Sequence, residues 1–171
     1  MFDPTIYENI KVVLEGTVYD YDLSGRMTVI GRSDRVDLSL MSRTYGVRFA
    51  QSGGGEDEFA EMELHAGTAD LAAEIMELEN IKPGCGIILR FYKRVRNPDE
   101  VCQQIKHRLE ELWGIEYPVT QTLSYVHGEV PKTYWNEIKI DFARKFGEEV
   151  AEDIPRLVEN TLLTLRSLQE L

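Results

Sequence analysis

Residues 44–66 read TYGVRFAQSGGGEDEFAEMELHA. Before the glycines, Tyr45, Val47 and Phe49 fall on one side and Arg48 on the other. After them, Met62, Leu64 and Ala66 fall on one side, and Glu61, Glu63 and His65 on the other. A period of two is the mark of a half-buried strand. Two such runs joined by a short glycine-rich stretch predict a β-hairpin and antiparallel pairing. The stretch SGGG also invites a phosphate-loop reading. Such a loop needs backbone N–H groups converging at a helix N-terminus, usually with a Lys or Arg. Here Glu56, Asp57 and Glu58 follow, and the next element is a strand. Residues 52–58 are therefore read as a hairpin tip.

Working toward the N-terminus, residues 11–51 read as mostly extended. KVVLEGTVYDYDL sets Val12, Leu14 and Val18 against Glu15, Thr17 and Tyr19, which predicts another strand. Ser24-Gly25 marks a turn, MTVIGR resumes, and RVDLSLM alternates through Val36, Leu38 and Leu40. Toward the C-terminus, TADLAAEIMELE predicts a helix capped by Thr68, with Leu71, Ala72, Ile75, Met76 and Leu78 on one face. IILRFYKRV is a strand with Ile87, Leu89 and Phe91 on one side and Arg90, Tyr92 and Arg94 on the other. NPDEVCQQIKHRLEELWG is a helix with Asn97 as cap, Pro98 at the first position, a stripe of Val101, Ile105, Leu109 and Leu112, and Gly114 as stop. QTLSYVHG and YWNEIKIDFA are strands, the second alternating through Ile138, Ile140 and Phe142. From about Gly147 the chain is helical, with Ile154, Leu157, Val158, Leu162, Leu165 and Leu168 in one stripe. Pro155 marks a kink or a true start there. The whole predicts one domain, 1–171, of α+β class: a mainly antiparallel, curved sheet packed by helices, including a long C-terminal one.

The 171 residues are 43% hydrophobic and 29% charged, a globular balance. With 19 Lys and Arg against 30 Asp and Glu, the net charge is −11. Nucleic acid and anionic membrane surfaces are repelled on average, and no basic block offsets this. The start MFDPTIYENI lacks the basic end and apolar run of a signal peptide, and no stretch approaches a membrane span. Cys85 and Cys102 have no metal-ligand spacing, so the expectation is two free thiols in the cytoplasm.

Candidate chemistry is sparse. Glu61, Glu63 and His65 share one strand face, and two carboxylates with an imidazole suit a divalent metal. Matching the inward phases of the hairpin, however, sets Arg48 opposite Glu61 or Glu63, and a cross-strand ion pair accounts for the acids without chemistry. His107, Glu110 and Glu111 lie at helical spacing, but not in the H-E-x-x-H pattern. No G-x-S-x-G elbow or cysteine-protease signature occurs. Cys102 sits in a first helical turn, where the helix dipole can lower a thiol pKa, but it neighbours the apolar stripe. Arg90, Tyr92 and Arg94, enlarged by Lys93 and Arg96, form a cationic-aromatic cluster in an acidic chain. This is the expected ligand or partner surface.

The function expected from these features is non-catalytic: binding of a protein partner or a small ligand, as an acidic escort or regulator, with no cofactor. One alternative is a metal-assisted or acid–base enzyme acting on a small molecule. Another is a ligand carrier with a cavity between the sheet and the C-terminal helix. Leu163, Leu171 and Trp113 lie off or at the edge of their helix stripes, so a homodimer is also expected.

Overall fold

A computed structural model describes residues 5–171. Six strands form one open antiparallel sheet in the order β1-β2-β3-β4-β6-β5. They are β1 (Met27–Asp37), β2 (Ser42–Gln51), β3 (Glu58–Ala66), β4 (Cys85–Val95), β5 (Val119–Ser124) and β6 (Tyr134–Phe146). Four helices accompany them: α1 (Thr5–Leu23), α2 (Thr68–Ile75), α3 (Pro98–Trp113) and α4 (Ile154–Gln169), the last preceded by a 3₁₀ turn, Glu148–Glu152. The α+β reading holds, with the long C-terminal helix in place.

The hairpin at the centre of the sequence is the centre of the sheet. β2 and β3 pair antiparallel, with Val47 opposite Met62 and Arg48 opposite Glu61. Tyr45, Val47, Phe49, Met62, Leu64, Ile87, Leu89, Phe91, Ile138 and Ile140 are all buried in a single core. α1, α3 and α4 cover that face, contributing Tyr7, Ile10, Leu14, Val18, Ile105, Leu109, Val158, Leu162 and Leu165 to the same core. Pro155 stands in the first turn of α4 and marks a true helix start. At the other end of α4, the buried Lys93 donates from Nζ to the carbonyl of Leu168 at 2.6 Å, where a cation is favoured by the helix dipole.

Residues 11–23, read from sequence as a strand, belong to α1. Tyr7, Ile10, Leu14 and Val18 are its buried residues, spaced three and four apart. Val12, assigned inward by a period of two, is exposed. α1 lies over β1, where Lys11 meets Asp34 at 2.5 Å and Glu15 meets Arg32 at 2.9 Å. The two extended segments expected on either side of Arg32 are one strand, β1, while Leu38 and Leu40 project from the β1–β2 turn. α2 is shorter than expected and stops at Ile75. Of its predicted stripe Leu71 is buried, but Ile75, Met76 and Leu78 are exposed. Thr68 does not cap it: Gly67 holds that position, and the Thr68 hydroxyl donates to the carbonyl of Leu40. On α3, Pro98 and Gly114 punctuate as expected, though Asn97 makes no side-chain cap bond and Leu112 is exposed.

Candidate functional site

The helices leave the other face of the sheet to its own side chains. In β3 and β4 that face carries Phe59, Glu61, Glu63 and His65 beside Arg90, Tyr92 and Arg94, the alternation expected from the sequence. Register brings them together: Phe59 lies opposite Tyr92, Glu61 opposite Arg90, and Arg94 opposite Trp135 of β6.

Two ionic chains run across the strands. In the first, Arg48 Nε donates to Glu61 at 2.9 Å, and the Tyr92 hydroxyl donates to the other oxygen of Glu61 at 3.2 Å. Glu61 is thereby only 7% exposed on a face that no helix among the described residues covers. Burial, then the nearby Glu61 and Glu137 charges, push the Tyr92 pKa up, so this hydroxyl stays a donor. In the second chain, Arg90 lies 3.2 Å from Glu63 and 3.4 Å from Glu137, and Arg35 reaches Glu63 at 4.0 Å. Arg94 is tied to Asp57, at the foot of the hairpin tip, at 2.7 Å.

Beside the ions is an aromatic ladder. Phe59 and Tyr92 stack with ring centroids 4.7 Å apart, and Tyr92 and Trp135 follow at 6.0 Å. The guanidinium of Arg94 stands 5.7 Å from the Trp135 ring, and that of Arg48 stands 5.8 Å from Phe59. Trp135 and Arg94 open into a groove of about 380 Å³, walled on the far side by Tyr125, Val126 and Glu129 of the β5–β6 connection. Lys132 lies over the rings of Tyr125 and Tyr134, at 3.7 Å and 4.8 Å from their centroids.

Arg90, Tyr92 and Arg94 thus share one surface. Trp135 and Phe59 complete it and were not singled out from the sequence. Their signal was present, since both are large aromatics in the outward phase of strands whose inward phase was already filled. Glu61, Glu63 and His65 also share that face, but each has its own partner. Arg48 takes Glu61, Arg90 takes Glu63, and Thr44 lies 3.1 Å from His65 Nδ1. Among the described residues, no group of three or more His, Cys, Asp and Glu gathers as a metal ion would require. His107 faces Glu111 at 3.3 Å on the exposed side of α3. Both cysteines are free thiols. Burial pushes the Cys85 thiol up to about 12, and burial with the nearby Asp99 raises that of Cys102. No helix among the described residues is long and apolar enough to cross a membrane.

Comparison with known protein families, with curated proteins and with solved structures finds no match to this chain.

Proposed function

We propose that the chain is a non-catalytic binding protein, and that a protein partner docks on the open face of its sheet, anchored at Trp135, Tyr92 and Arg94. The observation that supports this most is the ladder Phe59–Tyr92–Trp135 bracketed by Arg48 and Arg94, beside a groove ready for one inserted side chain. Trp, Tyr and Arg are the residue types that dominate binding hot spots. The surrounding arginines and glutamates are matched in charge within the protein, so they can form a polar rim around the anchors. A partner carrying an apolar anchor and an acid would place the first on Trp135. The acid would compete with Asp57 for Arg94, whose side chain is half-exposed. Two free thiols, one deeply buried, fit a reducing compartment such as the cytoplasm.

Site-specific photo-crosslinking in cells expressing the chain tests this reading. Benzoylphenylalanine at Thr122, which lies opposite Glu137 on the open face, is expected to give a discrete adduct. The same group at exposed Val12, on α1, is expected to give none. Adding Arg94→Glu or Trp135→Ala should abolish the Thr122 adduct. An adduct confined to position 12, or one at position 122 indifferent to both changes, would refute the assignment.

Self-association is a second reading. β1 pairs on one side only, and the apolar Leu38 and Leu40 project beside its end. Long unpaired edges of this kind readily template pairing with another chain.

A further inference from the structure

On the helix-covered side of the sheet, away from the aromatic ladder, a cleft of about 400 Å³ opens between α3, β6 and the start of α4. Its wall is aromatic. The Phe142 ring makes edge-to-face contacts with Trp113, Tyr117 and Phe146, at centroid distances of 6.0, 4.9 and 5.9 Å. The indole of Trp113 is fixed from behind, with Nε1 donating to Thr164 Oγ1 at 2.9 Å.

An irregularity in β6 shapes this cleft. Ile88 pairs with Asp141, but the next pair is Gly86 with Lys145, so β6 carries two extra residues there. Ala143, within the insertion, has φ of 52°, a left-handed conformation that costs a non-glycine residue energy. Its N–H is held by Asp141 Oδ1 at 2.9 Å. Bulges and strained residues of this kind re-aim side chains, and they concentrate at sites of function.

Two cations stand in the lining, Arg144 and Arg156. Most arginines and lysines in this acidic chain are matched to a carboxylate. Among the described residues these two have none within 4.0 Å, and Arg144 instead stacks over Phe146 at 4.5 Å. The lining holds one acid, Asp153, against the two guanidiniums, and an amide, Asn160. We infer that this cleft binds a small carboxylate with a planar apolar body. The ring system would lie against Phe142, Trp113 and Tyr117, and the carboxylate would accept hydrogen bonds from Arg144 and Arg156. A guanidinium fork matches carboxylate geometry, and the volume falls in the range of small-molecule sites.

The probes are 2-naphthoate and its neutral counterpart 2-naphthalenemethanol, titrated calorimetrically into the full chain. The expected result is one-to-one binding of naphthoate, about tenfold or more tighter than the alcohol, the size of one charge-assisted hydrogen bond. Replacing both cations, Arg144→Gln with Arg156→Gln, should bring naphthoate down to the alcohol's affinity and leave the alcohol unchanged. Both side chains are exposed, so folding should be retained, as a thermal melt will show. Leu112→Trp, at the exposed part of the lining, should exclude both probes. In a ¹⁵N spectrum, the Trp113 indole N–H should shift on binding and that of Trp135 should not. Equal affinity for the two probes, no binding of either, an unaltered charge preference in the double variant, or a shift at Trp135 instead of Trp113 would each overturn the inference. Apart from a shift at Trp135, which would place the probe on the open face, these outcomes leave partner docking there untouched.

Discussion

At the scale of single residues, Glu61 shows how a charge is kept on an uncovered sheet face. Its two oxygens are taken by Arg48 and Tyr92, and their side chains shield it in place of a helix. Glu61→Ala leaves the Tyr92 hydroxyl and the Arg48 guanidinium without their acceptor. It is expected to destabilise the fold by about 1–3 kcal/mol, lowering the urea midpoint with an unchanged slope. Asp34 offers a second test, with pH as the variable. Burial pushes its pKa up, but hydrogen bonds from Arg43 and Lys11 outweigh that and hold it below the ordinary 3.8. A carboxylate with a depressed folded-state pKa stabilises above its unfolded value and loses that contribution as pH falls through the folded one. Asp34→Asn should therefore cost up to about 1 kcal/mol at pH 7, with the difference from the parent shrinking as the medium is acidified below 3.8. Unfolding curves across that range decide it. That Arg48 faces Glu61 or Glu63 was legible in the sequence from the inward phases of two strands, and the register decides for Glu61. The ladder was not, because alternation tells which way Phe59 and Trp135 point but not that β4 and β6 are neighbours.

Among the elements, α1 is the instructive departure. Its sequence fits both periods: Val12, Leu14 and Val18 alternate, while Tyr7, Ile10, Leu14 and Val18 follow the helical spacing. Val12, Val13, Thr17 and Val18 also favour strands locally. Packing against the sheet and α4 decides for the helix, as tertiary contacts commonly override propensity. Gly16 supplies a clean check. It lies on the exposed side of α1, and a Cβ there would meet nothing within 4 Å. Gly16→Ala should stabilise the protein by about 0.5–1 kcal/mol, the gain expected in a helix. The hairpin tip can be resolved glycine by glycine. The N–H of Gly54 bonds the carbonyl of Gln51 at 2.7 Å, and Gly53 within that turn has φ of 77°. A Cβ on Gly54 would come within 2.9 Å of the Gln51 carbonyl, whereas one on Gly55 would meet nothing. Gly54→Ala should thus cost about 1 kcal/mol or more, and Gly55→Ala almost nothing, as chemical denaturation can show. The sequence marked the tip as a turn, and it could not mark which glycine the turn needs.

For the whole molecule, the two faces of the sheet divide the work. One is closed by α1, α3 and α4, and the other is left polar and aromatic. The helices' apolar stripes made the closed face legible, whereas strand order, and with it the open face, depends on long-range pairing that no local pattern encodes. The three anchors expected for a dimer are now placed. Trp113 and Leu171 pack against the chain's own core, and Leu163 remains exposed. Self-association through the β1 edge, the second reading proposed above, would use Leu38 and Leu40 beside it. Light scattering across a dilution series should then show a concentration-dependent mass that Leu38→Glu with Leu40→Glu returns to 19.7 kDa. The claim that the open face carries the function is tested most directly by hydroxyl-radical footprinting of the chain with its cross-linked partner. Trp135, Tyr92 and Tyr125 should lose reactivity in the complex, while Trp113 and Tyr117 keep theirs. Unchanged reactivity at Trp135 and Tyr92, with protection of the helix-covered side instead, would contradict it.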